Sequence, residues 1–376
     1  MRVFIFLALW AIFLPRSTAA TDPIDSLLQG VLVHEGKHPV HNVLFYARNG
    51  QTDFQVARGY GIRGRDEMPV TSDFRFKVAS ITKTFVSVVT QQLIEEGRLH
   101  YDDHAADYLT GLDFLRFEEF HILEGEAYAK NITVEQLLRH TSGIGDIFSD
   151  KETRFFLSVI LNKQKQYDEE RIVRKYFKYR LHKNPHNVPG EGYHYSDMNY
   201  MLLGFIIEQV TGQSLPHNIR TRILEPLDMT HTYFEYYEPT AEGAPQIDTY
   251  FNRLNLTRKV NTSYEWAGGG LVSTPAEIGR FIEALFAGKL FQDSATLQRM
   301  IDLEPSRRVG KAAGMGIFQY ELADNIFYGH GGFYGSLMLY SPEEDLTLVI
   351  HLGQSNPDLD ERALLEGLVG LVRDIR

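Results

Sequence analysis

The sequence predicts a mixed α/β (α+β) fold in which an antiparallel sheet is flanked by helices and interrupted by an all-helical insertion. Strand-like patterns lie near both ends of the chain, at 42–58 and 335–352, and the centre has the periodicity of helices. Strands at both ends with helices between them indicate one sheet whose halves are separated by an inserted domain. The sheet domain is therefore predicted to contain residues 21–104 and 261–376, and the helical domain residues 105–260.

The composition is that of a globular chain with an acidic balance. Of 376 residues, 43% are hydrophobic, and 38 Lys and Arg oppose 49 Asp and Glu, which gives a net charge of −11. A negative chain repels phosphate backbones, so nucleic acid is not an expected partner. The chain has no cysteine, which excludes disulfides, thiol catalysis and thiolate metal ligands.

The first twenty residues have the layout of a secretory signal peptide. Arg2 is basic, residues 3–14 are an unbroken apolar run, and residues 15–20 end in small side chains. The run is shorter than the roughly 20 residues that cross a bilayer, so an uncleaved anchor is the weaker interpretation. Cleavage after Ala20 is expected to give an exported protein, periplasmic or secreted, that retains no membrane span.

The first predicted elements after this segment are a hairpin and a helix. Strand-like residues 42–48 and 53–58 flank Asn49-Gly50, which is a hairpin signal because both residues tolerate positive φ. A stripe of apolar side chains predicts a helix over 80–96 that ends at Gly97.

Capping signals place the helices of the central and later parts of the chain. Thr133 and Gln136 have the spacing of a capping box, and a helix over 199–210 is predicted to end at Gly212. Residues 274–277, Thr-Pro-Ala-Glu, combine a cap, a proline in the first turn and a capping glutamate.

The last hundred residues return to strands. Residues 335–340 and 346–352 are strand-like and flank a turn at 341–345, and residues 359–372 form a closing helix. The C-terminal strands are therefore predicted to belong to the same sheet as the N-terminal hairpin.

Ser80 and Lys83 are the first candidate catalytic residues. On a helix they share a face, so the lysine amine can approach the serine hydroxyl, which is a weak nucleophile until a base takes its proton. Taken alone the pattern is weak. About one chance Ser-x-x-Lys is expected in a chain of this length, and a capping serine beside an exposed lysine explains it equally well.

Two later segments add candidates. Tyr195 and Asp197 precede a helix, and a phenol near a cationic lysine can be driven toward phenolate and act as a base. The alternative is a buried tyrosine beside a capping aspartate. His330-Gly331-Gly332 lies between strand-like segments, where a bare backbone lets a substrate approach and its N–H groups can face an oxyanion. The alternative there is a glycine bulge with a surface histidine.

In this order and setting, the segments resemble the serine β-lactamase-like superfamily, near class C β-lactamases, D-alanyl-D-alanine peptidases and family VIII esterases. Ser80-x-x-Lys83 is similar to the first family motif, Tyr195-x-Asp197 to the Tyr-x-Asn motif, and His330-Gly331-Gly332 to the Lys-Thr-Gly or His-x-Gly motif. The resemblance extends from about residue 28 to 353 and includes residues 138–144, 199–204, 226–229 and 268–275.

The resemblance implies a β-lactamase/transpeptidase-like fold and acyl transfer through a covalent ester on Ser80. Lys83 and Tyr195 would act as the general base, and the N–H groups of Ser80 and Phe333 would form the oxyanion hole. The residues expected to bind the substrate are Asp197, His330, Gly331 and Gly332. The expected partner is a small-molecule or peptide substrate, no cofactor or metal is expected, and the oligomeric state is left open.

Two departures from the family pattern affect the expected substrate. Asp197 replaces asparagine, so it offers only acceptors and a negative charge that favours the ammonium form of Lys83 and shifts the base role toward Tyr195. His330 replaces lysine, and a neutral histidine supplies no fixed charge for a substrate carboxylate. Both favour a peptidase, D-amino-acid amidase or esterase over an efficient β-lactamase. A non-catalytic receptor for penicillin or peptidoglycan fragments is the alternative from another functional class.

Two histidine pairs have the i, i+4 spacing of metal ligands on a helix. His100 and His104 lie in an acidic stretch, and Pro185 interrupts the segment between His182 and His186. Such spacings are common, so metal binding is not predicted at either pair.

Overall fold

The computed structural model describes residues 22–64, 66–163, 165–243, 245–303 and 313–374. The predicted signal peptide, residues 1–20, lies outside the described residues and stays a prediction. Among the described helices, none is both long and apolar enough to cross a membrane.

The strands of the described chain range from two to eight residues. They are β1 (Asn42–Asn49), β2 (Phe54–Gly61), β3 (Phe76–Lys77), β4 (Ile122–Leu123), β5 (Glu126–Ala127), β6 (Tyr233–Phe234), β7 (Tyr250–Phe251), β8 (Leu254–Asn255), β9 (Leu271–Ser273), β10 (Phe318–Leu322), β11 (Asn325–Gly332), β12 (Ser336–Ser341) and β13 (Leu346–His351).

The α-helices range from single turns to four turns. They are α1 (Pro23–Gly30), α2 (Thr82–Glu95), α3 (Ala106–Leu109), α4 (Val134–Leu138), α5 (Glu152–Leu161), α6 (Glu169–Lys178), α7 (Asp197–Thr211), α8 (Leu215–Ile219), α9 (Leu256–Lys259), α10 (Trp266–Gly269), α11 (Pro275–Phe286), α12 (Ser294–Ile301) and α13 (Glu361–Asp374).

The main sheet joins the two ends of the chain. Its six strands lie in the order β10-β11-β12-β13-β1-β2, and all neighbouring strands are antiparallel. The pairing of β1 with β13 runs from Leu44 opposite His351 to Asn49 opposite Leu346. The predicted sheet, built from strands near both termini, is therefore confirmed.

Helices cover both faces of this sheet because successive side chains of a strand point to opposite sides. Val43 and Phe45 pack in one apolar cluster with residues of α1 and α13. Leu44 and Tyr46 pack in a second, larger cluster with residues of α2 and α11. The predicted arrangement of an antiparallel sheet flanked by helices is confirmed, and the candidate catalytic serine lies on the side of the larger cluster.

The predicted hairpin is present, but its turn differs from the prediction. Asn49 is the last residue of β1 and lies opposite Phe54, so four residues, 50–53, connect the strands. The left-handed conformation falls on Asp53, with a φ of 54°, rather than on Asn49-Gly50. The Gly50 N–H donates to the Asp345 carbonyl of the β12–β13 turn, and this tertiary contact replaces the tight two-residue turn.

Helix α2 is buried on nearly all sides rather than along the single predicted stripe. A 3₁₀ turn, Ala79–Ile81, precedes it, so Ser80 lies just before the α-helix begins, and Gly97 follows its end with a φ of 68°. Its polar residues are paired inside the protein. The Thr84 and Ser87 hydroxyls each donate at 2.7 Å to carbonyl oxygens of the segment before β10.

The predicted capping signals have two different outcomes. Thr133 Oγ1 accepts from the Gln136 N–H, and Gln136 Oε1 accepts from the Thr133 N–H, which confirms the capping box. Thr274 caps α11 as predicted. Glu277 does not complete a second box, because its carboxylate accepts from the His231 N–H and the Thr232 hydroxyl beside β6.

Residues 105–260, the predicted insertion, contain more helix than strand but are not all helical. They contain α3 to α9, but β4 pairs with β5, β7 pairs with β8, and β6 joins β9 and β3 in a small second sheet. The boundaries of the two predicted domains stay a prediction.

Gly332, at the end of β11, lets this strand approach the turn that carries Ser80. A β-carbon at position 332 would overlap the Val78 carbonyl oxygen and Ser336 Oγ and would lie 3.1 Å from the β-carbon of Ala79. The Ser336 hydroxyl itself donates to the Val78 carbonyl at 3.0 Å. The glycine therefore serves the packing of the sheet against the 3₁₀ turn.

This contact predicts that Gly332→Ala lowers the free energy of unfolding by about 1–3 kcal/mol, because an added methyl group must displace the backbone around Val78. The matched control is Gly331→Ala in the same strand, where the nearest atom would be 3.8 Å away. Urea unfolding compares the two variants. Equal stabilities would contradict this account of Gly332.

Candidate active site

Ser80 is half-buried and lines a cavity of about 420 Å³. The residue before it, Ala79, has a φ of 49°, a left-handed conformation that costs an alanine roughly 1–2 kcal/mol. Packing holds the turn there. The Val78 N–H donates to the Leu271 carbonyl at 3.1 Å, and the Val78 carbonyl accepts from Ser336. Strands on both sides therefore present the Ser80 hydroxyl to the cavity.

Lys83 is fully buried beneath Ser80. Its Nζ donates to Ser80 Oγ at 3.0 Å, to Asp197 Oδ1 at 2.6 Å and to the Gly268 carbonyl at 2.6 Å. An ammonium offers three donors, and these acceptors account for all of them. The geometry fits the ammonium form that the sequence predicts beside Asp197.

Asp197 is free for this role because another residue caps helix α7. Ser196 Oγ accepts from the Met198 N–H at 3.2 Å, so Asp197 is the first helical residue and its carboxylate turns to Lys83. Gly268 makes room for the pair, since a β-carbon there would lie 2.6 Å from Asp197 Oδ1. The alternative of a capping aspartate is therefore wrong.

Tyr195 contacts the Ser80 hydroxyl through its own side-chain hydroxyl, and the ring of His140 stacks on it at 4.4 Å. Burial, with the charge of Asp197 added, raises the pKa of the Tyr195 phenol well above its usual value, although the bond to Ser80 opposes the shift. The phenol is therefore neutral in the resting site. The role of Tyr195 as a base stays a prediction.

Asp146 is a member of the site that the sequence analysis missed. Its Oδ1 accepts from the Asp197 N–H at 3.0 Å, and its Oδ2 accepts from the N–H and hydroxyl of Ser149. Burial, together with the charge of Asp197, raises the pKa of the Asp146 carboxyl to about 7. Asp146 follows one of the family-like segments, but a single acidic residue on a loop has no spacing pattern to reveal it.

Glu265 is the second missed carboxyl and lies just before family-like residues 268–275. It accepts a hydrogen bond from the Tyr334 hydroxyl. Burial raises the pKa of Glu265 to about 7, although the Lys77 ammonium and the Tyr334 hydroxyl act in the opposite direction. Lys77 is not among the residues that line the cavity, and its ammonium also pairs with Glu235.

The cavity wall is acidic and aromatic. Its carboxyl groups belong to Asp146, Glu152, Asp197 and Glu265. Its aromatic rings belong to Phe148, Phe156, Tyr195, Tyr264, Phe333 and Tyr334. No lysine, arginine or histidine is among the described residues of the wall, although the ammonium groups of Lys83 and Lys77 act on Asp197 and Glu265 from behind it.

The His330 segment differs from the prediction. His330 is buried behind Tyr195, their ring centroids are 6.3 Å apart, and its Nδ1 lies 2.6 Å from the Gly331 carbonyl oxygen. Burial and the charge of Lys83 lower the pKa of His330 to about 3, so the ring is neutral, as the sequence analysis expects. His330, Gly331 and Gly332 are not among the residues that line the cavity, and their substrate-binding roles stay predictions.

Phe333 does line the cavity, together with Ser80. Its ring is 42% exposed and stacks at 5.9 Å on Phe156 and at 6.0 Å on Phe251. The structure therefore brings together Ser80, Lys83, Tyr195, Asp197 and Phe333. Their catalytic and oxyanion roles stay predictions.

The buried ion pair yields a stability prediction. Asp197→Ala leaves the Lys83 ammonium without its carboxylate and is expected to lower the free energy of unfolding by about 3–5 kcal/mol. Asp197→Asn is expected to lower it less, because the amide oxygen still accepts. Urea unfolding measures both.

The matched control is Glu170→Ala, which removes an exposed partner of Arg174 and is expected to change stability by less than about 1 kcal/mol. Similar losses for Asp197→Ala and Glu170→Ala would contradict the buried charge pair.

Comparison with solved structures supports the fold. D-amino acid amidase from Ochrobactrum anthropi SV3 superposes with a TM-score of 0.72 at 24% sequence identity, covering 94% of this chain and 100% of that chain. The β-lactamase/transpeptidase-like fold class is thereby confirmed.

Sequence comparison identifies the family. Protein flp of Staphylococcus aureus (strain N315) is 31% identical over 223 residues, which cover 58% of this chain and 40% of that protein. This chain thus spans less than half of that relative's length. A putative D-alanyl-D-alanine carboxypeptidase of Escherichia coli (strain K12) is 26% identical over 325 residues, covering 76% of this chain and 70% of that protein. The family model described as Beta-lactamase matches residues 42–371, and this chain therefore belongs to the Beta-lactamase family.

Proposed function

We propose that this protein is a serine hydrolase that cleaves an amide through an acyl-enzyme on Ser80, and that its substrate carries an ammonium group near the scissile carbonyl and an apolar side chain. The observation that carries the proposal is the cavity wall, which combines carboxyl groups with aromatic rings and has no cationic side chain among its described residues. Amino acid amides and the amino ends of peptides have this chemistry.

Charge argues against anionic substrates. A β-lactam or a peptide carboxyl end brings a carboxylate, and the neutral, buried His330 offers it no cation. Asp197 and the partly ionised Asp146 and Glu265 would repel it. An ammonium is attracted by the same groups, so the substrate order is an amidase or aminopeptidase first, an esterase second and a β-lactamase or carboxypeptidase last.

The aromatic rings select the rest of the substrate. Phe148, Phe156 and Phe333 supply apolar surface for a side chain, and ring faces also attract a cation. A substrate with an aromatic or large aliphatic side chain therefore gains most from this cavity.

The proton path follows from the contacts beneath Ser80. Lys83 and Asp197 are 2.6 Å apart, so the ammonium can pass one proton to the carboxylate and become a neutral amine. That amine takes the Ser80 proton as Oγ attacks the carbonyl carbon. Tyr195 donates its proton to the leaving amine and recovers one from Lys83. Water then cleaves the ester by the reverse route, and Ser80 is regenerated.

A matched pair of substrates tests the charge requirement. Phenylalanine amide, in its D and L forms, is expected to have a kcat/KM at least about 10-fold higher than that of its N-acetyl derivative, a difference of about 1.4 kcal/mol. Ser80→Ala is expected to abolish steady-state turnover, whereas Ser149→Ala, on the same wall, retains it.

Preference for the N-acetyl or an N-succinyl substrate would contradict the proposed cation. A burst of product without later turnover would instead support the alternative of a non-catalytic receptor. Sustained hydrolysis after the burst excludes that alternative.

The raised carboxyl pKa values give a pH profile. Below pH 7, Asp146 and Glu265 become protonated and neutral, so kcat/KM for an amino acid amide is expected to rise as pH increases through about 7. The kcat/KM is expected to fall again above about pH 8, because the substrate amine loses its charge there.

An N,N,N-trimethyl substrate keeps its charge at every pH. Its pH profile of kcat/KM should therefore show the rise on the acid side but not the fall on the alkaline side. The Glu265→Gln variant should show a smaller rise of kcat/KM on the acid side of the pH profile. An acid limb that is the same for the charged amide and its N-acetyl derivative would show that these carboxyls do not act through substrate charge.

A further inference from the structure

Three side chains with metal-ligating atoms meet beside the active site. The Asp150 Oδ2 atom lies 2.8 Å from His186 Nε2 and 3.4 Å from His194 Nε2. All three ligand atoms lie within 4.8 Å of one another. We propose that Asp150, His186 and His194 bind a divalent transition-metal ion of the Zn²⁺ type.

One loop holds all three ligands in place. The His186 N–H donates to the Gly143 carbonyl, and the His194 N–H donates to the His140 carbonyl, both at 2.9 Å. The Asp146 N–H donates to Asp150 Oδ2 at 2.8 Å. The segment that carries His186 and His194 and the nearby Asp150 are therefore both fixed to residues 140–146, so backbone hydrogen bonds hold the cluster together.

The spacing and the ligand types suit zinc. Atoms bound to zinc at about 2.0–2.2 Å with tetrahedral angles lie roughly 3.4 Å apart, which is the separation of Asp150 Oδ2 from His194 Nε2, whereas His186 Nε2 is nearer, at 2.8 Å. Two imidazoles and one carboxylate leave a fourth position for water. His186 is 40% exposed, whereas Asp150 and His194 are 17% and 18% exposed, so the site is open to solvent on one side only.

The two histidine rings lie directly against each other. The rings of His186 and His194 are stacked, with centroids 3.3 Å apart and planes inclined by 13°. The buried His194 Nε2 has no well-directed hydrogen bond to any described residue. An ion bound by both Nε2 atoms must lie in the plane of each ring, so binding requires one imidazole to turn out of this nearly parallel stack.

The proposed ion would position the active site rather than take part in the reaction. Asp150 Oδ2 also accepts from the Asp146 N–H, and Asp146 Oδ1 accepts from the Asp197 N–H. His194 directly precedes Tyr195. An ion at Asp150 would therefore fix both the loop that holds Asp146 and the segment that holds Tyr195.

Metal binding is tested on the resting protein, so its outcome is independent of the proposed hydrolase activity. The apo protein is titrated with Co²⁺, whose visible absorption reports nitrogen ligation at low coordination number, and the bound ion is then displaced with Zn²⁺. One equivalent is expected to bind. His186→Gln and His194→Gln are each expected to weaken binding by more than about 100-fold, since losing even an outer partner of a metal ligand costs 10–100-fold.

The control is His217→Gln, which changes an exposed histidine away from the cluster and is expected to leave the affinity unchanged. Binding that persists in the double variant His186→Gln/His194→Gln would overturn the proposal. So would a wild-type protein whose Co²⁺ spectrum shows only water ligands, and this second measurement does not depend on the folding of any variant.

Discussion

The buried ammonium of Lys83 is the interaction around which the site is organised. Taking a charge out of water costs several kcal/mol, and the cost is offset only when every donor finds an acceptor. Here the acceptors come from three elements: the 3₁₀ turn at Ser80, the start of α7 at Asp197 and the end of α10 at Gly268. Meeting this requirement fixes the relative positions of those elements, and thereby the position of Ser80.

A second constraint is the concentration of negative charge around this cation. Asp146 and Glu265 have raised pKa values because they are buried and because other carboxylates lie nearby. Lys83 pairs with Asp197, and the buried ammonium of Lys77 acts on Glu235 and Glu265 from behind the cavity wall. Burial, with the charge of Asp197 added, also keeps the Tyr195 phenol protonated at rest.

The loop of residues 140–146 connects these features. Through its backbone and Asp146 it contacts the segment before α7, the cavity wall and the Asp150–His186–His194 cluster. Glycines let the loop approach its neighbours. Gly143 has a φ of 75°, and a β-carbon there would overlap the Asn187 carbonyl oxygen. The family-like segment 138–144 thus contains residues that build the site without taking part in the chemistry.

By itself the sequence determined the fold class, most elements and the residues grouped at the nucleophile. Periodicity and caps depend on neighbours within a few residues, which is why α2, α7, α11 and the Thr133 capping box could be predicted. The motifs at Ser80 and Tyr195 carried the family resemblance.

Only the tertiary structure decided the rest, because it depends on segments far apart in the chain. Burial beside Asp197 made Tyr195 a neutral phenol, and packing against Val78 accounted for Gly332. The structure places His186 beside His194 and Asp150, and not in a metal-ligand pair with His182. Burial, charge and ligand geometry are properties of three-dimensional neighbours, and no local pattern of residues specifies them.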